Sequence, residues 1–181
     1  MQSIPVDHVS TVVDSPVGKL TLVARPFGLA AILWENDRPG RVRLNITSEN
    51  SKQPILAQTR QELEEYFAGD RSVFDVPLDF VGTDFQKQVW QALRTIPFGE
   101  TRSYGQIARQ IGAPKAVRAV GAANGRNPVS IIMPCHRVIG STGDLTGFAG
   151  GLDRKLYLLE LEKIPHHRRP TLFDQPSYLA P

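Results

Sequence analysis

The sequence predicts an α+β fold, with strands in the first third of the chain and helices in most of the remainder. Polar and apolar residues alternate between turns over residues 10–34, as in half-buried strands. From Thr83 onwards, apolar residues instead recur at helical spacing behind capping sequences. A chain of 181 residues can hold two small units. We place them at residues 1–80 and 81–163, followed by an irregular tail at 164–181.

Three strands and one helix are predicted for the N-terminal unit. The strands are expected at 10–14, 19–24 and 29–34, forming a small antiparallel sheet. Residues 36–53 are polar and irregular, which favours a loop. A helix is predicted over 56–67 and should stop at Gly69. No recognisable catalytic grouping lies in this unit.

The C-terminal unit begins with two capping boxes, at Thr83–Gln86 and Ser103–Gln106. The helix behind the second box should break at Gly112. Another helix should follow, with Pro114 at its first position and Gly125 at its end. Two short helices joined by a glycine turn form a helix-turn-helix. The same topology also fits an ordinary helical hairpin.

Charge is unevenly distributed along the chain. Residues 1–84 carry 8 basic and 12 acidic side chains, whereas residues 87–126 carry 7 basic side chains and one acidic. Such a block favours a polyanionic partner such as DNA, although a solvated basic face without a partner has the same composition. The basic residues of the block are Lys87, Arg94, Arg102, Arg109, Lys115, Arg118 and Arg126.

Composition also excludes several classes of protein. A hydrophobic fraction of 41% is typical of a globular chain rather than a disordered one. No apolar run is long enough to span a bilayer, and the first residues do not resemble a signal peptide, so a cytoplasmic protein without membrane association is expected. A single cysteine excludes an internal disulfide and, with only four histidines, makes a structural zinc site an unfavourable hypothesis.

The chemically informative segment surrounds that cysteine, Cys135. Pro134 forces an extended or turned backbone before it, and His136 and Arg137 follow directly. An imidazole can take the thiol proton, and a nearby cation favours the thiolate. The imidazole would need an orienting acceptor, for which spacing leaves two carboxylates on the predicted helix 153–163, Glu160 and Glu162. A buried structural cysteine is the competing interpretation.

Glycines are dense after this segment. Such density indicates tight turns and close approach of the backbone to a ligand. The glycines concerned are Gly140, Gly143, Gly147, Gly150 and Gly151.

The segment Pro134–Val138 resembles the active-site signature of the O6-alkylguanine-DNA alkyltransferases, the methylated-DNA–protein-cysteine methyltransferases. Several further segments stand in the order of that family: 85–90, Ser103-Tyr104, Ala119-Val120-Gly121, Asn127-Pro128 and Gly150-Gly151-Leu152. The resemblance covers residues 83–163 closely and the first strands loosely. It implies a ribonuclease H-like N-terminal unit and a mainly helical C-terminal unit with a helix-turn-helix.

The resemblance also implies roles for individual residues. Cys135 would accept the alkyl group, His136 would deprotonate it through a water, and Glu162 rather than Glu160 would orient the histidine. Asn127 would brace the turn that presents the site, and Tyr104 would donate a hydrogen bond to guanine N3. Without the resemblance, Tyr104 would be interpreted as an aromatic residue of the core and Asn127 as a turn residue. The alkylguanine pocket would be lined by Met133, Pro134, Val138, Phe148 and Ala149.

DNA binding follows from the same resemblance. Arg118 would enter the base stack through the minor groove and fill the gap left by a flipped guanine, although helix-turn-helix topology alone favours the major groove. A solvated arginine is the competing interpretation. The remaining DNA-contacting residues would be Lys115, Ala119, Gly121 and Arg126.

The implied activity is single-turnover repair of O6-alkylguanine in double-stranded DNA, without cofactor, metal or obligate protein partner. The protein would be cytoplasmic and associated with the nucleoid when on DNA. Some members hold zinc through cysteines of the N-terminal unit, which this chain lacks, and Phe148 stands where many members have tyrosine. A non-catalytic alkylguanine-binding relative, a DNA-binding regulator and a thiol hydrolase are the alternatives. Cys135 argues against the first, the Pro-Cys-His-Arg segment against the second and the DNA-binding half against the third.

Overall fold

The computed structural model describes residues 8–165, and its N-terminal unit is a four-stranded sheet with one helix packed against it. The strands are β1 (His8–Val13), β2 (Leu20–Arg25), β3 (Gly28–Trp34) and β4 (Ile46–Glu49). They lie in the order β3-β2-β1-β4. The first three pair antiparallel, as predicted, and β4 runs parallel to β1.

Helix α1 (Pro54–Ala68) covers this sheet. Gln53 caps it by accepting a hydrogen bond from the Leu56 amide at 2.8 Å, and Gly69 ends it in the left-handed region at φ 84°. The helix buries Leu56, Leu63 and Tyr66 against the core. The predicted helix and its glycine stop are therefore confirmed, with the start two residues earlier.

Strand β4 corrects the prediction that residues 36–53 form only a loop. All four residues of Ile46–Glu49 are exposed, so the segment lacks the alternation of a half-buried strand. It joins the edge of the sheet through backbone pairing with β1, with a register irregularity between His8 and Val9. An exposed edge strand needs no hydrophobic face, and for this reason periodicity could not reveal it.

The C-terminal unit contains four helices and a small two-stranded sheet. Both predicted capping boxes are present, at Thr83 and Ser103, with side chain and backbone bonded in each direction. In order, the elements are α2 (Asp84–Arg94), β5 (Arg102–Ser103), α3 (Tyr104–Gln110), α4 (Val117–Asn124), a 3₁₀ turn (Cys135–Arg137), β6 (Val138–Ile139) and α5 (Leu152–Leu161).

Two predicted helix boundaries are wrong. Helix α4 begins at Val117, with Ala116 as its N-cap, rather than at Pro114. Pro114 instead lies inside a turn closed by the Ala116 amide donating to the Ala113 carbonyl at 2.8 Å. Proline's fixed φ suits the second position of such a turn as well as the start of a helix. Helix α5 ends at Leu161, so Glu162 is its C-cap.

One hydrophobic core runs through both units. The Ile32 amide donates to the Pro128 carbonyl at 2.9 Å, joining β3 to the segment after α4. Gly150 lies against Trp34, and a Cβ there would stand 2.7 Å from the indole ring. The close approach predicted for the glycine-rich segment is thus, at Gly150, an approach to Trp34. The segments on both sides of Pro134–Val138 therefore contact strand β3 of the N-terminal sheet.

No helix among residues 8–165 has the length and apolar content needed to cross a membrane. The predicted irregular tail lies outside the described residues from position 166 onwards.

Candidate active site

The turn before Cys135 is held by a buried asparagine. The Asn127 side-chain amide donates to the Met133 carbonyl at 2.6 Å and its oxygen accepts from the Val129 amide at 3.0 Å. Within this turn Ile131 has φ 74°, a left-handed value that is rare for a β-branched residue. The Ile132 amide donates to the Ser130 carbonyl at 3.0 Å, so the backbone reverses over three residues. Asn127 thus lies where it can brace the segment that presents the thiol.

Cys135 opens the 3₁₀ turn and is almost completely enclosed, with 1% of its surface exposed. Burial raises the pKa of the thiol. The neighbouring polar side chains of Asn127 and Ser130 and the positive charges of Arg41 and Lys155 oppose that rise in pKa. The resting thiol is therefore neutral, in surroundings that favour the thiolate once a base accepts the proton.

His136 is fully buried and contacts Glu162, the residue that ends α5. His136 Nε2 lies 2.8 Å from Glu162 Oε1. Because the carboxylate is ionised, Nε2 carries the proton and Nδ1 keeps its lone pair. Nδ1 has no hydrogen-bond partner among the described residues. Burial lowers the pKa of His136 despite the neighbouring carboxylate, so the ring rests as a neutral base.

Glu162 accepts hydrogen bonds from three side chains. Arg137 binds it bidentately, through Nε at 2.7 Å and Nη2 at 2.9 Å, and Tyr66 donates its hydroxyl at 2.7 Å. Burial alone would raise the pKa of Glu162, but the bonds from His136 and Arg137 hold it at about 2. Arg137 was predicted to add positive potential at the thiol. Its guanidinium is directed instead to Glu162 and the Ile96 carbonyl.

Lys155 is a buried cation beside this array. Its ammonium donates to the Val138 carbonyl at 2.6 Å and the Thr146 carbonyl at 3.2 Å. Burial lowers the pKa of Lys155 to about 8, and the nearby Cys135 opposes the decrease. A positive charge is thus held close to the thiol without a carboxylate in direct contact among the described residues.

Arg41 reaches the same region from the N-terminal unit. Its side chain is 2% exposed and paired with Asp37. The guanidinium donates to the carbonyls of Asn127 and, at 3.0 Å, Ile32. It therefore ties the loop after β3 to the turn that presents the thiol.

Tyr104 stands at the start of α3, and its hydroxyl lies 2.8 Å from Thr146 Oγ1. Burial raises the pKa of Tyr104, so the phenol stays protonated and able to donate. A thiolate at Cys135 would raise the pKa of Tyr104 further. Gly121 of α4 faces the tyrosine ring, with a Cβ there 3.8 Å away.

The five predicted pocket residues surround the thiol segment without forming one wall. Met133 and Val138 are fully buried, and their carbonyls accept bonds from Asn127 and Lys155. Pro134 borders a cavity of about 140 Å³ that Arg137 also lines. Phe148 packs edge-on against Trp34 at 5.5 Å, and Ala149 is partly buried beside it.

The basic surface, defined here as Lys115, Arg118 and Arg126, lies at the two ends of α4. All three side chains belong to exposed residues, and none forms an ion pair within residues 8–165. Ala119 is exposed on the same helix. A small residue and unpaired cationic residues thus face solvent. Both favour close contact with phosphates.

Sequence reasoning missed three groups of this centre: Tyr66, Lys155 and Arg41. Each reaches the site from a distant part of the chain. Spacing therefore could not connect them to Cys135. Sequence signals for them were weak. The burial of Lys155 is visible only in the fold, and Tyr66 shares its buried helix face with two polar residues, Thr59 and Glu62.

A buried thiol, followed directly by an imidazole that is paired with a carboxylate, and a basic helix-turn-helix in the same unit define a DNA-binding protein with a nucleophilic cysteine. Comparisons agree with that class. Residues 84–164 match the DNA-binding domain model of 6-O-methylguanine DNA methyltransferase, and residues 9–80 match its ribonuclease-like domain model. The chain belongs to the 6-O-methylguanine DNA methyltransferase family.

Relatives match along most of their length. A methylated-DNA–protein-cysteine methyltransferase of Mycolicibacterium paratuberculosis is 52% identical, over 90% of this chain and 96% of its own. The constitutive enzyme of Bacillus subtilis is 45% identical, over 82% and 98%. The crystal structure of Mycobacterium tuberculosis OGT in complex with DNA superposes with a TM-score of 0.76 at 50% identity, covering 86% of this chain and 93% of that one. The α+β fold with a ribonuclease-like N-terminal unit is thereby confirmed.

Proposed function

We propose that the protein repairs O6-alkylated guanine in double-stranded DNA by transferring the alkyl group to Cys135. The observation that carries the proposal is the buried 2.8 Å contact between His136 and Glu162. His136 directly follows Cys135, the single cysteine of the chain. Family membership supports the substrate class. The non-catalytic relatives considered above lack the cysteine, and a hydrolase needs no helix-turn-helix.

The chemistry begins with proton transfer. The thiol proton passes to His136 Nδ1, through a water bridge, and Glu162 stabilises the imidazolium formed. The sulfur then attacks the alkyl carbon, a C–S bond forms and the bond from carbon to guanine O6 breaks. The electron pair stays on the guanine, a ring nitrogen of which takes a proton from water, and the imidazolium releases its proton to water. Lys155 and Arg41 stabilise the thiolate electrostatically before the attack.

Tyr104 stabilises the leaving group in this proposal. Negative charge develops on the guanine as the C–O bond breaks, and a phenol donating to N3 reduces its cost. The raised pKa of Tyr104 favours that role, because the proton remains on the phenol. The hydroxyl must exchange Thr146 for the base when substrate enters.

Base flipping follows from the burial of the thiol. A sulfur that is 1% exposed cannot reach an alkyl carbon inside a stacked duplex, so the nucleotide must rotate out of the helix. Unstacking costs a few kcal/mol. We assign Arg118 the role of filling the gap, since it is exposed and unpaired among the described residues and lies in the first turn of α4. Lys115 and Arg126 would contact phosphates.

The reaction consumes the protein. The product is a thioether, which thiol exchange does not reverse, and the chain has one cysteine. Each molecule therefore repairs one lesion.

The test is mass spectrometry after incubation with a duplex carrying O6-methylguanine. We expect a gain of about 14 Da on Cys135 and no turnover beyond one equivalent. Cys135→Ser is the matched control, which should bind the duplex with unchanged mass. Tight binding by the wild-type protein without a mass change would instead favour a non-catalytic alkylguanine-binding protein.

A further inference from the structure

We propose that Tyr66, on helix α1 of the N-terminal unit, is a positioning residue for alkyl transfer that acts through Glu162. The inference rests on the proposed function and extends it to a unit in which the sequence showed no catalytic grouping. Tyr66 and Glu162 are 96 positions apart in the chain, yet they share a buried hydrogen bond of 2.7 Å.

The geometry concentrates three donors on one oxygen. Glu162 Oε1 accepts from the Tyr66 hydroxyl, from His136 Nε2 at 2.8 Å and from Arg137 Nη2 at 2.9 Å. The other oxygen accepts from Arg137 Nε at 2.7 Å. With these partners the carboxylate has one orientation, and the oxygen that faces the imidazole is the one that Tyr66 contacts.

The tyrosine itself is rigidly held. Its ring is fully buried and packs against Phe67 and Phe74 at 5.4 Å and Phe98 at 6.3 Å between centroids. Burial raises the pKa of Tyr66, so the phenol remains a donor throughout the working pH range. A buried hydroxyl needs some acceptor. Its acceptor is the carboxylate of Glu162, which orients His136, the proposed base.

The Tyr66 hydroxyl, as a third donor to Glu162 Oε1, changes the charge on that oxygen. It withdraws charge from Oε1, which weakens the stabilisation of an imidazolium and keeps His136 neutral and ready to accept a proton. The charged and titratable groups that act on this pair are Glu162, Arg137, Lys155, Tyr66 and, near Tyr66, Tyr157. Loss of the Tyr66 hydroxyl should therefore make His136 more basic and the carboxylate less firmly placed.

The experiment compares Tyr66→Phe with Thr59→Val. Thr59 is a fully buried residue on the same helix whose hydroxyl donates to the Ile55 carbonyl at 2.6 Å. Each variant loses one side-chain hydrogen bond of α1, but only the Tyr66 bond reaches Glu162. Single-turnover transfer from free O6-benzylguanine and from a methylated duplex is measured across pH, together with the His136 imidazole titration by NMR.

We expect Tyr66→Phe to slow transfer from both substrates by about fivefold at neutral pH, as for loss of one typical intramolecular hydrogen bond. The acidic limb of its profile and the His136 titration should both move to higher pH, by about half a unit. Thr59→Val should lower thermal stability and leave the profile in place. A Tyr66→Phe profile that superimposes on that of the wild type or of Thr59→Val would overturn the proposal.

A second substitution covers the case in which Tyr66→Phe does not fold. Replacing Tyr66 with 3-fluorotyrosine keeps the ring and strengthens the donor, so the acidic limb should move to lower pH. An unchanged or opposite shift contradicts the proposal. The His136 titration requires no alkyl transfer. Failure of the repair activity would therefore be distinguishable from failure of the Tyr66 role.

Discussion

The reaction centre and the basic surface of this protein are built in opposite ways. In the centre, Cys135, His136 and Glu162 are buried, and Glu162 is hydrogen-bonded to Tyr66 of α1 and to His136 and Arg137 of the 3₁₀ turn. On the surface, Lys115 and Arg118 are exposed and unpaired within the described residues. The proposed chemistry thus depends on groups that folding brings together, whereas the proposed DNA contact depends on a short helical segment with exposed charges.

This contrast predicts two kinds of failure. Changes in the centre should impair reaction with a free alkylated base as much as with duplex DNA, because the base meets the same groups in both. Changes on the basic surface should impair only the duplex reaction.

The largest effect among the substitutions considered next is expected for Glu162→Gln. Transfer should fall by about 100-fold on free base and duplex alike, because the imidazolium loses its counter-charge. Folding should lose about 3–5 kcal/mol, since Arg137 is left buried without its partner. Single-turnover kinetics and urea unfolding measure the two effects.

Glu160→Gln is the control, since it removes the neighbouring exposed carboxylate of α5. The contribution of Glu162 to folding stability should depend on pH. The Glu162 pKa of about 2 lies below its ordinary value, so its stabilisation is present above pH 4.3 and lost as pH falls towards 2. An equal effect of both variants on the rate would contradict the role of Glu162.

A smaller and more selective effect is expected for Arg118→Ala. Repair of duplex should slow by about tenfold, because the cost of unstacking is no longer offset. Reaction with free O6-benzylguanine should be unchanged. Arg60→Ala, which removes an arginine from α1 with half of its side chain exposed, is the charge-matched control. Equal loss on both substrates would exclude the gap-filling role.

The smallest effect concerns Lys155 and stability against pH. Its pKa of about 8 lies below the ordinary lysine value, so between about pH 8 and 10 the unfolded chain binds more protons and the wild type gains stability as pH rises. Relative to Lys155→Met, that gain should reach about 1–2 kcal/mol. Urea unfolding at several pH values measures it. Parallel stability curves for the two proteins would show that Lys155 titrates normally.

Short-range sequence signals, such as helix caps and glycine stops, made much of the fold predictable. The capping boxes at Thr83 and Ser103 and the glycine stop at Gly69 depend on residues three or four positions apart, and all three are present. Strand β4 was missed because its stability comes from pairing with β1, far away in sequence. Pro114 was misplaced because proline suits both a turn and a helix start.

The site was less accessible to local reasoning. The adjacency of Cys135 and His136 suggested a base, but spacing left Glu160 and Glu162 open until the family resemblance favoured Glu162. The structure puts Glu162 against the imidazole. The contact of Tyr66 with Glu162 could not be predicted from local sequence, because only folding brings helix α1 against the end of α5.

The enclosure of Cys135 has a consequence for the unreacted protein. Under the proposed single-turnover reaction, each molecule must keep its thiol intact until it meets a lesion. A sulfur that is 1% exposed, with its pKa raised by burial, offers little thiolate to peroxides or to other thiols. The same packing that requires a flipped base in the proposed reaction therefore also protects the unreacted thiol from oxidation.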